Sequence, residues 1–148
     1  MFATRRFVPL LALVALCFQI AVAQIATSPV GLWKTFDDKT GEAKSLVRIY
    51  EQNGHYFGKV EKTLRPNAKQ TCDKCKDDLK DKPIVGMVVM RNMKADGDEF
   101  TGGDILDPEN GSVYKCKFKL EDGGKKLRVR GFIGFSMLGR SQTWERVE

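Results

Sequence analysis

Histidine is almost missing from this chain: His55 is the only one in 148 residues. A lone histidine leaves no Cys₂His₂ zinc set, and His55 follows the turn signal Asn53-Gly54, where a solvated surface role is the ordinary one. Beyond the first two dozen residues there is no long apolar run, which excludes a membrane-spanning helix in the body of the chain. No stretch of useful length has helical periodicity, so βαβ architectures lose their basis, and there is no internal repeat or low-complexity tract. Glycine motifs that cradle phosphate are absent as well. Lys and Arg number 25 against 19 Asp and Glu, a mild excess well short of a dedicated nucleic-acid binder.

The start of the chain, MFATRRFVPLLALVALCFQIAVAQ, has the composition of a secretory signal. Arg5 and Arg6 supply the cationic region, residues 7–18 the apolar region, and Ala21-Val22-Ala23 the small-x-small pattern before a cut ahead of Gln24. The apolar run is short for a membrane span. Leu16 stands where a lipoprotein would place a small residue before the lipidated Cys17, and the residues around Arg5-Arg6 fit twin-arginine export poorly. General secretion of a bacterial periplasmic or secreted protein is therefore expected, with residues 1–23 as cleaved signal peptide and 24–148 as one domain. Cleavage removes Arg5 and Arg6, so the basic excess shrinks by two. A chain of this size can bury a real core without a disulfide framework.

The body is punctuated by Asp37-Asp38-Lys39-Thr40-Gly41, Gln52-Asn53-Gly54, Ala95-Asp96-Gly97, Asp107-Pro108-Glu109-Asn110-Gly111 and Asp122-Gly123-Gly124. Asn-Gly and Asp-Gly provide the positive φ angles of tight hairpins. Between them the apolar and polar residues alternate with the strand period. In the segment from Val113 to Glu121, Tyr114, Cys116, Phe118 and Leu120 fall on one face and Lys115, Lys117 and Lys119 on the other. About eight strands result, near 30–36, 44–51, 55–63, 84–91, 98–106, 112–121, 125–134 and 140–147. Eight antiparallel strands in hairpin order close into an all-β up-and-down barrel, which removes exposed sheet edges; a two-sheet sandwich is the alternative. One connection is long: residues 64–83 are highly charged, contain Cys72-Asp73-Lys74-Cys75, and have the length of a lid or binding loop.

Gly31-Leu32-Trp33, the pair Cys72 and Cys75, Gly102-Gly103 with Leu106-Asp107-Pro108, the segment Tyr114 to Cys116, Arg130-Gly131-Phe132-Ile133-Gly134, and above all Gly139-Arg140-Ser141-Gln142-Thr143-Trp144-Glu145-Arg146 together resemble a family of exported bacterial proteins, the domain-of-unknown-function family numbered 2147. The resemblance covers nearly all of residues 29–147. It implies a small lipocalin-like barrel of the bacterial envelope and implies no reaction. Gly31, Trp33 and Arg146 are also similar to the Gly-x-Trp of lipocalin strand one and the arginine that packs across it near the last strand. Barrel closure by Trp33 and Arg146 is the expectation.

The cysteines leave several readings open. After export Cys72, Cys75 and Cys116 remain in an oxidising compartment. Cys72 and Cys75 suit a small structural disulfide in a polar, accessible loop. A redox pair would expect a helix and βαβ context that is missing, and a metal site would need Cys116 or His55 as further ligands. Cys116 alternates with Tyr114, Phe118 and Leu120, which places it inside the barrel as a buried thiol. The segment Gly134 to Gly139 has one residue too many for a serine elbow and precedes no helix. Asp104, Asp107, Glu109 and Asn110 match no calcium loop and read as a turn. No catalytic constellation and no cofactor follow.

Two surface features remain. Pairing Leu120 with Leu127 and Phe118 with Val129 sets Lys119 against Arg128 and Lys117 against Arg130, an outward ladder of Lys115, Lys117, Lys119, Lys126, Arg128 and Arg130. Like charges directly opposite are unfavourable, so the ladder is either relieved by acids such as Glu121 and Glu145 or faces an anionic envelope component. The connector Phe135-Ser136-Met137-Leu138 is apolar for a loop; it either tucks over the barrel end or meets a ligand, partner or membrane. The leading functional expectation is a noncatalytic envelope module binding a small apolar or amphipathic ligand. An interaction protein using the basic face comes second, and a metal- or redox-linked CxxC protein third. Eight strands can be side-chain-filled or hollow: Gly86, Gly102 and Gly131 favour hollow, Met87, Met90, Phe100 and Phe118 favour filled.

Overall fold

The strands begin where the alternation begins. A computed structural model describes residues 27–148, so the signal-peptide reading of residues 1–23 lies outside the described residues. The strands are β1 Gly31–Phe36, β2 Ala43–Gln52, β3 His55–Thr63, β4 Val88–Asp96, β5 Glu99–Asp107, β6 Ser112–Glu121, β7 Lys126–Phe132 and β8 Gly139–Arg146. They pair antiparallel in sequence order, and β1 meets β8, which closes the barrel. The two-sheet sandwich does not apply. Between β2 and β3, Asn53 and Gly54 hold φ of 53° and 77° and Gln52 pairs with His55, the two-residue turn that Asn-Gly favours. The β6–β7 register sets Leu120 against Leu127 and Phe118 against Val129, as the alternation requires.

One strand is displaced from its sequence reading. The fourth was expected over 84–91 and runs from Val88 to Asp96. Residues 84–87 turn instead, with the Met87 amide donating to the Ile84 carbonyl at 3.0 Å and Gly86 at φ 92°. Ile84 and Met87 are nevertheless buried in the core, and Gly86 and Met87 exchange backbone hydrogen bonds with Val60 of β3 at 2.7 and 3.0 Å, so the end of the connection reaches the sheet just ahead of β4.

Closure of the ring explains the Gly-x-Trp pattern. Leu32 and the chain end exchange backbone hydrogen bonds, the Leu32 amide donating to the Glu148 carbonyl at 2.8 Å and the Val147 amide to the Leu32 carbonyl at 2.7 Å. Any Cβ on Gly31 would lie 2.3 Å from that Glu148 oxygen; only glycine admits the returning backbone. Trp33 is fully buried, donates its indole N–H to the Pro29 carbonyl at 2.8 Å, and lies under the Arg146 guanidinium, 4.3 Å from the ring centre.

The two ends of the barrel differ. Short turns join β2–β3, β4–β5 and β6–β7 at one end. That end is filled: Phe100 stacks on Phe118 with centroids 4.6 Å apart, Tyr56 meets Phe100 edge-on at 5.0 Å, and Met90, Met93 and Leu127 are fully buried. The longer connections 37–42, 64–87, 108–111 and 133–138 gather at the other end.

The β3–β4 connection is folded back rather than loose. Cys72 and Cys75 form a disulfide, Thr71 bridges to Pro83, and Asp77–Leu79 make a 3₁₀ turn. The expectation of an accessible polar pair is corrected: Cys72 is 0 % and Cys75 4 % exposed. The loop seats its disulfide on the β5–β6 turn, where the Cys72 Sγ lies 3.2 Å from the Pro108 carbonyl. The approach is so close that a Cβ on Gly111, itself at φ 73°, would stand 2.0 Å from the Lys74 oxygen.

Candidate functional site: a cavity in the open half of the barrel

At the long-loop end the side chains no longer meet across the axis. A cavity of about 420 Å³ opens there, within the range of small-molecule sites, roughly 300–1,000 Å³. Its walls are Val47, Val60, Val89, Ile105, Val129 and Trp144. The room comes partly from Gly131: a Cβ there would find Tyr114 Cβ at 3.5 Å and Ile105 Cγ2 at 3.6 Å, ordinary contacts bordering open space. Gly86 and Gly102 do not line the cavity, and Phe100 and Phe118 fill the opposite end, so the hollow and filled readings each describe half of the barrel.

Polar groups sit at intervals on the apolar wall. Thr35 and Ser45 share a hydroxyl–hydroxyl bond of 2.7 Å. Gln142 accepts from the Trp144 indole at 3.2 Å and donates to Asp38 at 3.2 Å. At the mouth Arg65 bridges Asp37 and Glu109, and Lys44 reaches Glu109 at 3.1 Å. Asp37 accepts the backbone N–H groups of Thr40 and Lys39, and with the Arg65 guanidinium these hold its carboxyl down to about 2. The Arg65 Nε is buried without a hydrogen-bond partner, although the residue lines the cavity. Arg65, Ala68, Lys69 and Ile84 reach the wall from the long connection. Sequence reading marked that connection but none of these residues, because nothing local distinguishes them from other loop residues.

The remaining candidates are dispersed. Cys116 is buried opposite Gly103 and Gly131, unpaired, with its thiol pushed up to about 12 by burial and, secondarily, by the Asp104 charge. The Cys72 and Cys75 sulfurs are bonded to each other, which leaves no thiolate pair to ligate metal. Among the described residues no group of three or more His, Cys, Asp or Glu could hold a metal ion. His55 lies at the short-turn end, its ring 3.1 Å from the Asn53 carbonyl. Asp104 pairs with Arg91 at 2.6 Å, while Asp107 and Asn110 accept the Glu109 and Ser112 amides as turn residues do.

The ladder lies on the outer face of β6 and β7, with Lys119 opposite Arg128 and Lys117 opposite Arg130. Acidic neighbours relieve part of it: Lys117 pairs with Glu99 at 3.4 Å, Arg128 with Glu121 at 2.8 Å and Lys126 with Asp122 at 3.9 Å. Among the described residues, no helix is long and apolar enough to cross a membrane.

A sequence model of a family described as an uncharacterised protein conserved in bacteria (DUF2147) matches residues 31–146. No curated protein matches the chain. Among solved structures, the barrel is similar to protein HP1028 from the human pathogen Helicobacter pylori, described as belonging to the lipocalin family. That likeness has a TM-score of 0.73 at 16% sequence identity and covers 83% of this chain and 85% of the other.

Proposed function

Since the chain belongs to the bacterial family DUF2147, whose model spans nearly all of the barrel, we propose that it is a noncatalytic envelope module. In this reading it is exported by cleavage before Gln24 and carries a small apolar or amphipathic ligand in the open half of its barrel. The single observation behind the reading is the asymmetry of the interior. One end is packed with Phe100, Phe118, Met90 and Met93, while the other keeps a 420 Å³ cavity with a valine-lined wall and a charged mouth. An apolar wall with a few placed polar groups suits a ligand that is mostly hydrocarbon and has one polar end.

Native mass spectrometry of protein taken from its own envelope tests both halves. The expected result is a chain beginning at Gln24 with additional noncovalent mass. The same mass should be missing from Gly131→Leu, whose side chain would occupy the cavity while the strand keeps its register. Wild-type protein that carries no mass and takes up no apolar fluorescent probe would overturn the carrier reading.

A second reading, an interaction protein that meets an anionic envelope component, draws on the outer groove lined by Lys117, Lys119, Arg128, Arg130 and Ser141. It is the weaker of the two because Glu99 and Glu121 already pair with part of the ladder.

A further inference from the structure

The connection between β7 and β8 places four large apolar side chains in water together. Ile133 is 69 %, Phe135 78 %, Met137 87 % and Leu138 74 % exposed. Single exposed apolar residues are ordinary, but a contiguous cluster of this kind marks a contact surface. The loop does not tuck over the barrel end. It is held outward by Arg130, which donates Nε–H to the Ser136 carbonyl, an Nη2–H to the Met137 carbonyl at 3.1 Å and an Nη1–H to the Ser141 hydroxyl at 2.9 Å. A turn hydrogen bond from the Leu138 amide to the Phe135 carbonyl, 3.0 Å, completes the shape. A ladder arginine is thus used to fix the backbone of an apolar tip whose side chains find no cover among the described residues.

The surroundings of the tip indicate what covers it. Three acids at that end are engaged, Asp37 with Arg65, Asp38 with Arg140, and Glu109 with Lys44 and Arg65, while Glu42 in the β1–β2 connection and Asp77 and Asp78 in the long connection form no ion pair among the described residues. Lys115, directly across from Phe132 at the base of the loop and from the Arg91-paired Asp104 on β5, forms no ion pair among the described residues, and neither does Lys39 in the β1–β2 connection. Exposed apolar side chains at a tip, with Lys115 and Lys39 behind them outside any ion pair, complement a lipid surface: the apolar groups enter the acyl boundary and the cations meet anionic headgroups. Ile133 and Leu138 also line the cavity mouth, so a docked tip would set that mouth against the bilayer.

We propose that the β7–β8 loop is a membrane-docking tip that seats the open end of the barrel on an anionic lipid surface. The proposal extends the carrier reading by naming where an apolar ligand enters and leaves, and it rests on that reading only for this purpose.

Vesicle co-sedimentation of the full mature chain tests it, with phosphatidylcholine vesicles prepared with and without phosphatidylglycerol. Binding is expected to the anionic vesicles and to weaken with salt. The double variant Phe135→Ser, Met137→Ser should partition roughly tenfold less or lower, and Lys115→Gln severalfold less. Both changes lie on exposed positions, so the melting temperature should hold. Neither Phe135 nor Met137 lines the cavity, so uptake of an apolar fluorescent probe without vesicles should be unchanged in the double variant. Loss of vesicle binding with retained probe uptake therefore separates this proposal from the carrier reading. Three results would overturn it: no vesicle binding by the wild type, equal binding by the double variant, or self-association in sedimentation that the double variant abolishes, which would give the patch to a second copy of the chain.

Discussion

Replacing Arg146 by alanine removes the group that ties the end of β8 to the segment before β1. Its guanidinium donates to the carbonyls of Gly124 at 2.7 Å, Val30 at 2.9 Å and Ser28 at 2.8 Å, and covers the Trp33 ring at 4.3 Å. Two of the three hydrogen bonds are exposed, so each is credited with about 0.7 kcal/mol and the part-buried one with about 1.5 kcal/mol. The contact with a fully buried indole adds about 1 kcal/mol. The loss is then roughly 3–4 kcal/mol, a large share of the stability of a domain this size. With a urea dependence of about 2 kcal/mol per molar, the midpoint falls by between one and two molar. Equilibrium urea unfolding followed by far-UV circular dichroism measures it, with Arg146→Lys as the control. Lysine keeps the charge over the ring but not the fork of donors, so it should recover about a third of the loss. A midpoint shift in Arg146→Ala equivalent to less than about 1 kcal/mol, or full recovery by lysine, would refute the reasoning.

Cys116 supplies a pH test. Its folded value of about 12 lies above the ordinary 9.0, so folding favours the neutral thiol. Its stabilising contribution is complete below pH 9 and disappears as pH rises to 12, a decline that Cys116→Ala should flatten in alkaline denaturation curves. For the same reason, and because the barrel wall shields the sulfur, native alkylation at pH 8 should run far slower than in denaturant; comparable rates would place the thiol in solvent. In the long connection, reduction of Cys72–Cys75 should cost about 2 kcal/mol, since so short a loop saves little closure entropy. Gly111→Ala should loosen the same segment without touching the sulfurs, because its Cβ collides with Lys74. Hydrogen exchange should then rise across 64–87 in both cases and stay low in β6 and β7.

How much of this could be read from the chain depends on the range of the interaction responsible. Residues 112–121 alternate so cleanly that face, register and the burial of Cys116 follow from period two alone, and Asn53-Gly54 specifies its turn by its own φ preferences. The fourth strand begins later than its apolar pattern suggests because Ile84 and Met87 carry the apolar signature of a strand while forming the buried turn that ends the long connection. The disulfide pair was placed in solvent for a similar reason. Its neighbours Asp73, Lys74 and Lys76 are polar, and the surface that covers it comes from Pro108 and Gly111, more than thirty residues away. The cavity mouth was invisible on the same grounds: Asp37, Arg65 and Glu109 come from three different connections and Lys44 from β2, and they meet only in the folded barrel.

The seam between β1 and β8 also bears on how the chain reaches this shape. Seven of the eight strand pairings are between neighbours in sequence, three of them across short turns, and can form locally. The eighth joins Trp33 to Arg146 and Lys34 to Glu145 across nearly the whole chain, so its loop entropy is lost last and slows the final step. Until Val147 and Glu148 reach Leu32, β1 offers an unpaired edge on which a second chain can template. A truncation that removes only these last two residues, far from cavity and tip alike, should therefore show itself first as aggregation during refolding.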